Sequence, residues 1–266
     1  MSATHAARPL CDLTPHRLIN LPFTHVLTES FIEPTHYLQL RDSFPTCPPK
    51  VGPTGYSLYW GDDGYEQLLR SQPAWQKLFE IFHSQLFVEW CRLQFHDVWS
   101  AEGCRVDLSK ARYVPYREDR IDKERATLRQ IEYEPHELWV RMDIHQGQLG
   151  YDRPVHLDHA RRLVSMLVYF CDYEENEMVG GELFLYSDKG DRNPVRVTTA
   201  HNRMIAFPCT SKSFHSVAKI ISQRSPRNYI QVHLSSSVDV WPREPVPVWR
   251  QTLSKVKQSL KNAGLV

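Results

Sequence analysis

The chain has 266 residues, 41% of them hydrophobic, which is enough to bury a core and excludes a disordered chain. Its 32 basic and 31 acidic side chains leave a formal net charge of +1, which disfavours a dedicated nucleic-acid binder. The six cysteines form no Cys-x-x-Cys pair, and neither a signal-peptide pattern nor an apolar run of about 18 residues is visible, so we expect a soluble cytoplasmic protein without membrane insertion.

The first third of the chain is predicted to be helical. A short helix is expected over residues 34–44, with Tyr37, Leu38 and Leu40 facing inward. Residues 74–99 carry a broad apolar stripe at helical spacing, which predicts a helix packed on a sheet. Its members are Trp75, Leu78, Phe79, Phe82, Leu86, Phe87, Trp90, Leu93 and Phe95.

From about residue 104 the pattern becomes that of β-strands. Short apolar runs between turn residues predict an all-β barrel or sandwich. The runs cover residues 138–144, 163–171, 182–186, 195–199, 204–208, 214–220 and 229–235. A basic amphipathic helix is expected over about 247–263. We therefore predict a single domain over 1–266, with helical support over about 1–103 and a β core over about 104–240.

Residues 117–129 are dense in charges of both signs and directly precede the first clear strand. Such a run is typical of an exposed helix or a mobile loop. An alternative hypothesis is a lid that contributes cations to an acidic substrate.

A candidate metal site is formed by His156-Leu157-Asp158 and the distant His215. Residues i and i+2 of a strand point to the same face, so His156 and Asp158 could reach one ion. A return of the barrel wall would bring His215 to the same interior. Two imidazoles and one carboxylate are the ligand set of non-haem Fe(II) oxygenases, and they leave three coordination positions open.

The order of motifs along the chain supports this interpretation. The strand at 164–170 follows the His-x-Asp motif. After this strand come, in order, Gly180-Gly181-Glu182-Leu183-Phe184, Phe207-Pro208, His215-Ser216-Val217 and Arg227. Over residues 137–237 this order resembles the prolyl-4-hydroxylase-like branch of the 2-oxoglutarate/Fe(II) oxygenase superfamily. The resemblance implies an α+β, mainly β chain whose core is a double-stranded β-helix, a jelly-roll or cupin-like barrel supported by N-terminal helices.

The resemblance also implies roles for individual residues. His156, Asp158 and His215 would be the metal ligands and thereby the catalytic centre. Arg227 would form an ion pair with the distal carboxylate of 2-oxoglutarate, for which a guanidinium fork is suited. Tyr169 lies where the family often has a tyrosine whose hydroxyl contacts that carboxylate.

Several of these residues keep a second interpretation. Arg227 follows His215 by 12 residues, slightly more than is usual, so Arg224 is a rival anchor. Tyr169 has the alternative of a core tyrosine. Arg141 and Asp143 could face either the site or solvent. Arg161 and Arg162 are expected at the exposed surface, with contact to the substrate as the alternative. Gln146 or Gln148 is a further candidate for a substrate contact.

The implied activity is hydroxylation of an unactivated C–H bond with release of succinate and CO₂. The expected cofactors are Fe(II), 2-oxoglutarate and O₂, with ascorbate as a candidate reductant. Asp158 fills the position that halogenases leave free, which disfavours halogenation. His233 stands where nucleic-acid dealkylases have a second arginine, which disfavours nucleic-acid dealkylation. We expect a small-molecule substrate, such as an amino acid, a sugar or a natural-product precursor. Alternatives are a peptidyl-prolyl or other protein hydroxylase, a cupin-type metal dioxygenase that does not use 2-oxoglutarate, and a silent binding module.

Overall fold

The computed structural model describes residues 9–50, 55–128 and 130–242. Within these ranges no helix is both long enough and apolar enough to cross a membrane. The helix expected over about 247–263 lies outside the described residues.

Helices dominate the N-terminal part, as predicted. They are α1 (Pro34–Asp42), α2 (Asp63–Ser71), α3 (Pro73–Phe82), α4 (Gln85–Ala101) and α5 (Arg120–Thr127), with a short 3₁₀ helix at Leu108–Lys110. The apolar stripe over 74–99 is divided between α3 and α4 because the chain leaves the helical conformation at His83 and Ser84. Ser84 then caps α4 by accepting a hydrogen bond from the amide of Phe87.

Three of the leucines expected to face inward are instead exposed. Leu38, Leu86 and Leu93 have exposed fractions of 45%, 61% and 55%. The aromatic residues of the same helices fill the interface with the sheet, and these leucines lie off that face. An apolar residue on a helix therefore need not be part of its buried stripe.

Strands form the remainder. They are β1 (Val26–Thr28), β2 (Tyr56–Leu58), β3 (Arg112–Tyr113), β4 (Glu137–Gly147), β5 (Arg153–His156), β6 (Arg162–Tyr169), β7 (Leu183–Tyr186), β8 (Val195–Val197), β9 (Met204–Pro208), β10 (Phe214–Val217) and β11 (Arg227–Ser235). The seven predicted apolar runs all correspond to strands. The runs did not include β1, β2 and β3, whose two or three residues are too few to form a pattern, or β5, whose four residues contain a single aliphatic one besides proline.

The strands form two sheets. The larger has the order β1-β9-β6-β11-β4-β2, with β3 added in parallel to β4, and the smaller has the order β5-β10-β7-β8. All other pairings are antiparallel. This arrangement confirms the predicted double-stranded β-helix and its N-terminal helical support.

Two apolar clusters hold the layers together. The helices pack against the outer face of the larger sheet, where Val140, Ile230 and Val232 meet aromatic residues such as Trp75 and Phe82. A smaller cluster lies between the sheets and includes Leu167, Leu185, Phe207 and Val217. Burial on both faces explains why β6 reads as a nearly continuous apolar run.

Alternation along β11 places a polar set on the inner face of the larger sheet. Arg227, Tyr229, Gln231 and His233 alternate with the residues that pack on the helices. Opposite them on β4 lie Gly147, His145, Asp143 and Arg141, in that order. The barrel interior is therefore polar along one wall, which is unusual for a core and indicates a functional cavity.

Candidate metal centre and cofactor pocket

The structure brings together His156, Asp158 and His215, each offering one ligand atom within 4.8 Å of the others. His156 and His215 are direct partners across the antiparallel pair of β5 and β10, with ring centroids 4.2 Å apart. Strand β5 ends at His156, so Asp158 reaches the cluster from the loop that follows and not from a continuous strand, as the sequence had suggested. His215 Nε2 and Asp158 Oδ2 are 3.9 Å apart.

Both imidazoles are oriented by the backbone. Nδ1 of His156 lies 2.8 Å from the carbonyl oxygen of Pro154, and Nδ1 of His215 lies 2.9 Å from that of Ser213. A carbonyl oxygen can only accept, so each Nδ1 carries a proton, and Nε2 is the ring nitrogen left to bind a metal. Hydrogen bonds of this kind fix the tautomer and ring orientation of metal-binding histidines.

Asp158 is a buried carboxylate with a cationic partner. Arg162 Nη1 donates to its Oδ1 over 2.7 Å, and the thiol of Cys209 lies 3.7 Å from Oδ2. Burial alone would raise the pKa of Asp158, but the Arg162 guanidinium, with smaller contributions from His215 and His233, holds that pKa well below its usual range. The carboxylate is therefore ionised, with Oδ2 directed toward His215.

His156 is neutral at physiological pH. Burial, followed by the neighbouring His215, lowers the pKa of His156 to about 4. Its Nε2 lies 3.5 Å from Arg153 Nη2, a contact that a cation bound at this nitrogen would displace. The cluster thus offers the Nε2 atoms of two histidines, of which His156 is neutral, and one anionic oxygen donor.

A cavity between the two sheets adjoins this cluster. His156 and His215 line one side, and Arg227, Tyr229 and His145 line the other. Leu167, Leu183, Phe207 and Val217 complete the wall, and the other lining residues carry polar groups. Convergent polar groups of this kind fix the orientation of a bound ligand.

Arg227 is buried at the end of the inner row of β11, with 1% of its surface exposed. Its guanidinium carbon lies 4.6 Å from the ring centroid of Tyr229 and 5.0 Å from that of Tyr169, and Nη2 donates to the Tyr169 hydroxyl over 3.3 Å. Among the described residues, Nε and Nη1 have no hydrogen-bond partner. Buried charged donors are rarely left unsatisfied, so these two N–H groups fit a carboxylate ligand.

The rival arginine lies elsewhere. The Arg224 side chain is 66% exposed and forms an ion pair with Glu177 at the surface. It does not line the cavity. Its burial and direction therefore favour Arg227 over Arg224 as the anchor.

Three other residues of the cavity wall lie beside Arg227. The hydroxyls of Tyr151 and Tyr229, which both line the cavity, are 3.0 Å apart. Tyr169 contacts Arg227 but does not line the cavity. His145 stacks on Tyr229 and forms a hydrogen bond with Ser57 Oγ. Burial, with the charges of Arg141, Arg153 and Arg227, lowers the pKa of His145 to about 3. Alternation along β11 is a signal that could have identified Tyr229, two residues after Arg227. The position of His145 upstream of the His-x-Asp motif was the signal for His145, whereas Tyr151 carried none.

Several secondary expectations are wrong. Arg161 and Arg162 were expected at the exposed surface, but Arg161 is fully buried and Arg162 is the partner of Asp158. The Gln146 side chain points away from the cavity, where it bonds the backbone of Cys47 and the side chain of Asn228. Arg141 and Asp143 face inward, as a 2.6 Å ion pair.

Comparison with known proteins agrees with this site. Residues 141–234 match the model of the 2OG-Fe(II) oxygenase superfamily. No curated protein sequence matches the chain significantly.

Three solved structures resemble the chain at low sequence identity, and each alignment covers 80% of this chain. A prolyl 4-hydroxylase from Phytophthora capsici shares 15% identity with a TM-score of 0.47, and the chain spans 58% of its length. A viral collagen prolyl hydroxylase from Paramecium Bursaria Chlorella virus-1 shares 10% identity over 95% of its length with a TM-score of 0.42. EctD from S. alaskensis shares 10% identity over 72% of its length with a TM-score of 0.44.

The barrel therefore defines the class of protein as a double-stranded β-helix enzyme with a candidate His-Asp-His iron site. Over residues 141–234 the chain matches the 2OG-Fe(II) oxygenase superfamily, the family that the order of motifs had indicated. Enzymes of this family are 2-oxoglutarate-dependent oxygenases that need Fe(II), 2-oxoglutarate and O₂.

Proposed function

We propose that the protein is an Fe(II)/2-oxoglutarate-dependent dioxygenase that hydroxylates an unactivated C–H bond of a small molecule, with release of succinate and CO₂. One observation carries this proposal. Three converging ligand atoms border a cavity whose opposite end holds a buried arginine with two unsatisfied N–H groups.

The donor set fits ferrous iron. His156 and His215 supply imidazole nitrogen atoms, and Asp158 supplies one negative charge, the combination found in non-haem Fe(II) oxygenases. Arg162 and the two backbone carbonyls hold these ligands in place before metal binds. The residues of the site are therefore pre-organised for a divalent cation.

The far end of the cavity fits 2-oxoglutarate. Arg227 Nε and Nη1 would bind the distal carboxylate as a charge-assisted pair, and Tyr229 and Tyr151 would add hydroxyl contacts. Tyr169 would act on that carboxylate through Arg227, since its hydroxyl already accepts from Nη2. His145 stays neutral beside the arginine, so it adds no repulsive charge.

Bound Fe(II) and 2-oxoglutarate would together supply the oxidising power from O₂ for C–H hydroxylation. The protein supplies orientation and a dry environment. Leu167, Leu183 and Phe207 exclude water from the cavity, and the ion pair between Arg162 and Asp158 keeps the carboxylate ionised. Asp158 fills the position that a halogenase leaves for a halide, which favours hydroxylation.

A cupin-type dioxygenase that does not use 2-oxoglutarate is the main alternative. It would need no buried arginine opposite the metal, so Arg227 favours the 2-oxoglutarate-dependent activity. A peptidyl-prolyl or other protein hydroxylase would use the same centre with a wider mouth. The enclosed, largely buried wall around the cavity favours the small-molecule substrate.

The test is anaerobic incubation of the protein with Fe(II) and 2-oxoglutarate. The proposal predicts the weak visible charge-transfer band of the chelate, and succinate formation once air is admitted. Asp158→Ala should lose the band together with bound iron. Iron binding without the band in the wild-type protein would favour the cupin-type alternative.

A further inference from the structure

A second carboxylate-binding arrangement lies at the other end of the barrel, around Glu118. The Glu118 side chain is 2% exposed. Its Oε2 accepts a hydrogen bond from the indole N–H of Trp139 over 3.2 Å, and its Oε1 forms ion pairs with Arg161 and, at 3.8 Å, with Arg141. Two guanidinium groups and one indole thus converge on a single carboxylate.

Arg161 is the cation of this group that depends most on Glu118. Arg141 also has Asp143, and the adjacent Arg162 has Asp158, but the nearest carboxylate to Arg161 is that of Glu118. The Arg161 side chain is fully buried, and its Nε and Nη1 have no hydrogen-bond partner among the described residues. Arg227 has the same two groups unsatisfied. One glutamate therefore leaves the donors of Arg161 only partly used.

The arrangement lies toward the opposite end of β11 from Arg227. Arg141 faces His233 in the pairing of β4 and β11, six residues along β11 from Arg227, a separation of about 20 Å along a strand. Arg162, which follows Arg161, holds Asp158. A molecule bound by Arg141 and Arg161 would therefore lie on the side of the metal centre that 2-oxoglutarate leaves free.

Glu118 belongs to a segment that is held by polar contacts. It precedes α5, a helix that buries Asp122 while exposing Ile121 and Leu128 at 56% and 66%. Among the described residues of 115–134, none belongs to either apolar cluster of the barrel. Its closest aromatic contact with the sheet is made by Tyr116, whose ring centroid lies 4.8 Å from that of Trp139, so movement of the segment would open this contact but neither apolar cluster.

We propose that Arg161, Arg141 and Trp139 bind a carboxylate of the substrate, and that Glu118 occupies this position until the segment over 115–128 moves away. The proposal rests on the proposed function and narrows its substrate class to carboxylic acids. From the sequence, residues 117–129 are a candidate lid that contributes cations to an acidic substrate. In this proposal the segment instead supplies an anion, Glu118, and the barrel supplies the cations that bind the substrate. A guanidinium fork is suited to a carboxylate in this role.

The first test is whether an external carboxylate replaces Glu118. Glu118→Ala removes the CH₂COO⁻ part of the side chain, for which acetate is the matching probe and acetamide the neutral control. With 2-oxoglutarate saturating, acetate should bind Glu118→Ala at least 10-fold more tightly than wild type, measured by calorimetry. Acetamide should show no gain. Glu124→Ala, an exposed change on α5, should behave as wild type, and Arg161→Gln added to Glu118→Ala should abolish the gain.

The second test uses the wild-type protein, so it does not depend on a variant that folds. In hydrogen exchange, the amides of 116–128 should exchange at least 100-fold faster than those of β4. Acetate should raise their exchange rate further at constant ionic strength, whereas acetamide should not. Protection equal to that of β4, no effect of acetate, or equal acetate binding by Glu118→Ala and wild type would each overturn the proposal.

Failure of the proposed function is separable from failure of this inference. The charge-transfer band reports only on the metal centre and 2-oxoglutarate, whereas acetate binding and exchange of 116–128 report only on the Glu118 position. A charge-transfer band without acetate binding would support the proposed oxygenase function and contradict the carboxylate site. Acetate binding without a band would support a carboxylate site but contradict its role in recognising the substrate of an oxygenase.

Discussion

Arg162 donates to Asp158 Oδ1 over 2.7 Å and leaves Oδ2 directed at His215. Because this ion pair orients and ionises a candidate ligand, we expect Arg162→Gln to weaken Fe(II) binding by about 10- to 100-fold, the usual effect of losing an outer-shell partner. Arg162→Lys keeps the charge and should lose less. Competition titration with a chelating dye measures the affinity, and an unchanged value for Arg162→Gln would argue against this role.

Arg227 and Arg224 provide a matched pair for the 2-oxoglutarate anchor. Arg227→Ala removes two charge-assisted hydrogen bonds, each worth about 1.5–3 kcal/mol, so the apparent affinity for 2-oxoglutarate should fall by about 100-fold or more. Iron binding should be nearly unchanged. Arg224→Ala, which alters only an exposed ion pair with Glu177, should have no measurable effect on either property. The opposite result would show that Arg224 is the anchor.

The glycines of the Gly180-Gly181 motif are required by the backbone. Gly180 has φ +82°, and a Cβ there would lie 1.8 Å from the carbonyl oxygen of Lys219. Gly180→Ala should therefore destabilise the fold by well over the roughly 1–2 kcal/mol of the left-handed conformation alone. Gly150→Ala is the control, since Gly150 has φ +84° but no atom within 4 Å of the added Cβ. Equal losses in denaturant unfolding would contradict the predicted clash.

His83 makes stability depend on pH. Burial lowers its pKa from 6.5 to about 4, so the unfolded chain binds this proton more readily than the folded one. Its contribution is complete above pH 6.5 and is lost progressively as the pH falls toward 4, by up to about 3 kcal/mol. His83→Gln should remove this part of the acid dependence of the free energy of unfolding. Identical dependence in both proteins between pH 6.5 and 4 would refute the assignment.

The sequence predicts the β core well because its strands show the two patterns typical of buried strands. Strand β6 is a nearly continuous apolar run, whereas β4 and β11 alternate apolar and polar residues. The motif order places His156, Asp158 and His215 in one barrel. The two-sheet topology confirms the fold, and the match of residues 141–234 agrees with the predicted family over that part of the chain. The metal and cofactor roles of individual residues, and the single domain over 1–266, stay predictions.

The errors arise where burial depends on distant partners. Arg161 looks like a surface residue because its partner Glu118 is distant in the sequence. Arg162 is close to Asp158 in the sequence, but local patterns do not reveal that the loop between them brings their side chains together. His83 and Ser84 interrupt a stripe that is otherwise helical, and a two-residue break leaves the apolar spacing almost intact. His145 enters the cavity only through its pairing with Tyr229 on β11. Such contacts are set by strand register, which local patterns do not encode.

Anomalous diffraction at the iron edge, from crystals soaked anaerobically with Fe(II) and 2-oxoglutarate, tests the central claim most directly. We expect one iron peak bonded to His156 Nε2, Asp158 Oδ2 and His215 Nε2, with 2-oxoglutarate extending from the metal to Arg227. An iron peak that lacks any one of these three ligands, or 2-oxoglutarate bound away from Arg227, would contradict the account.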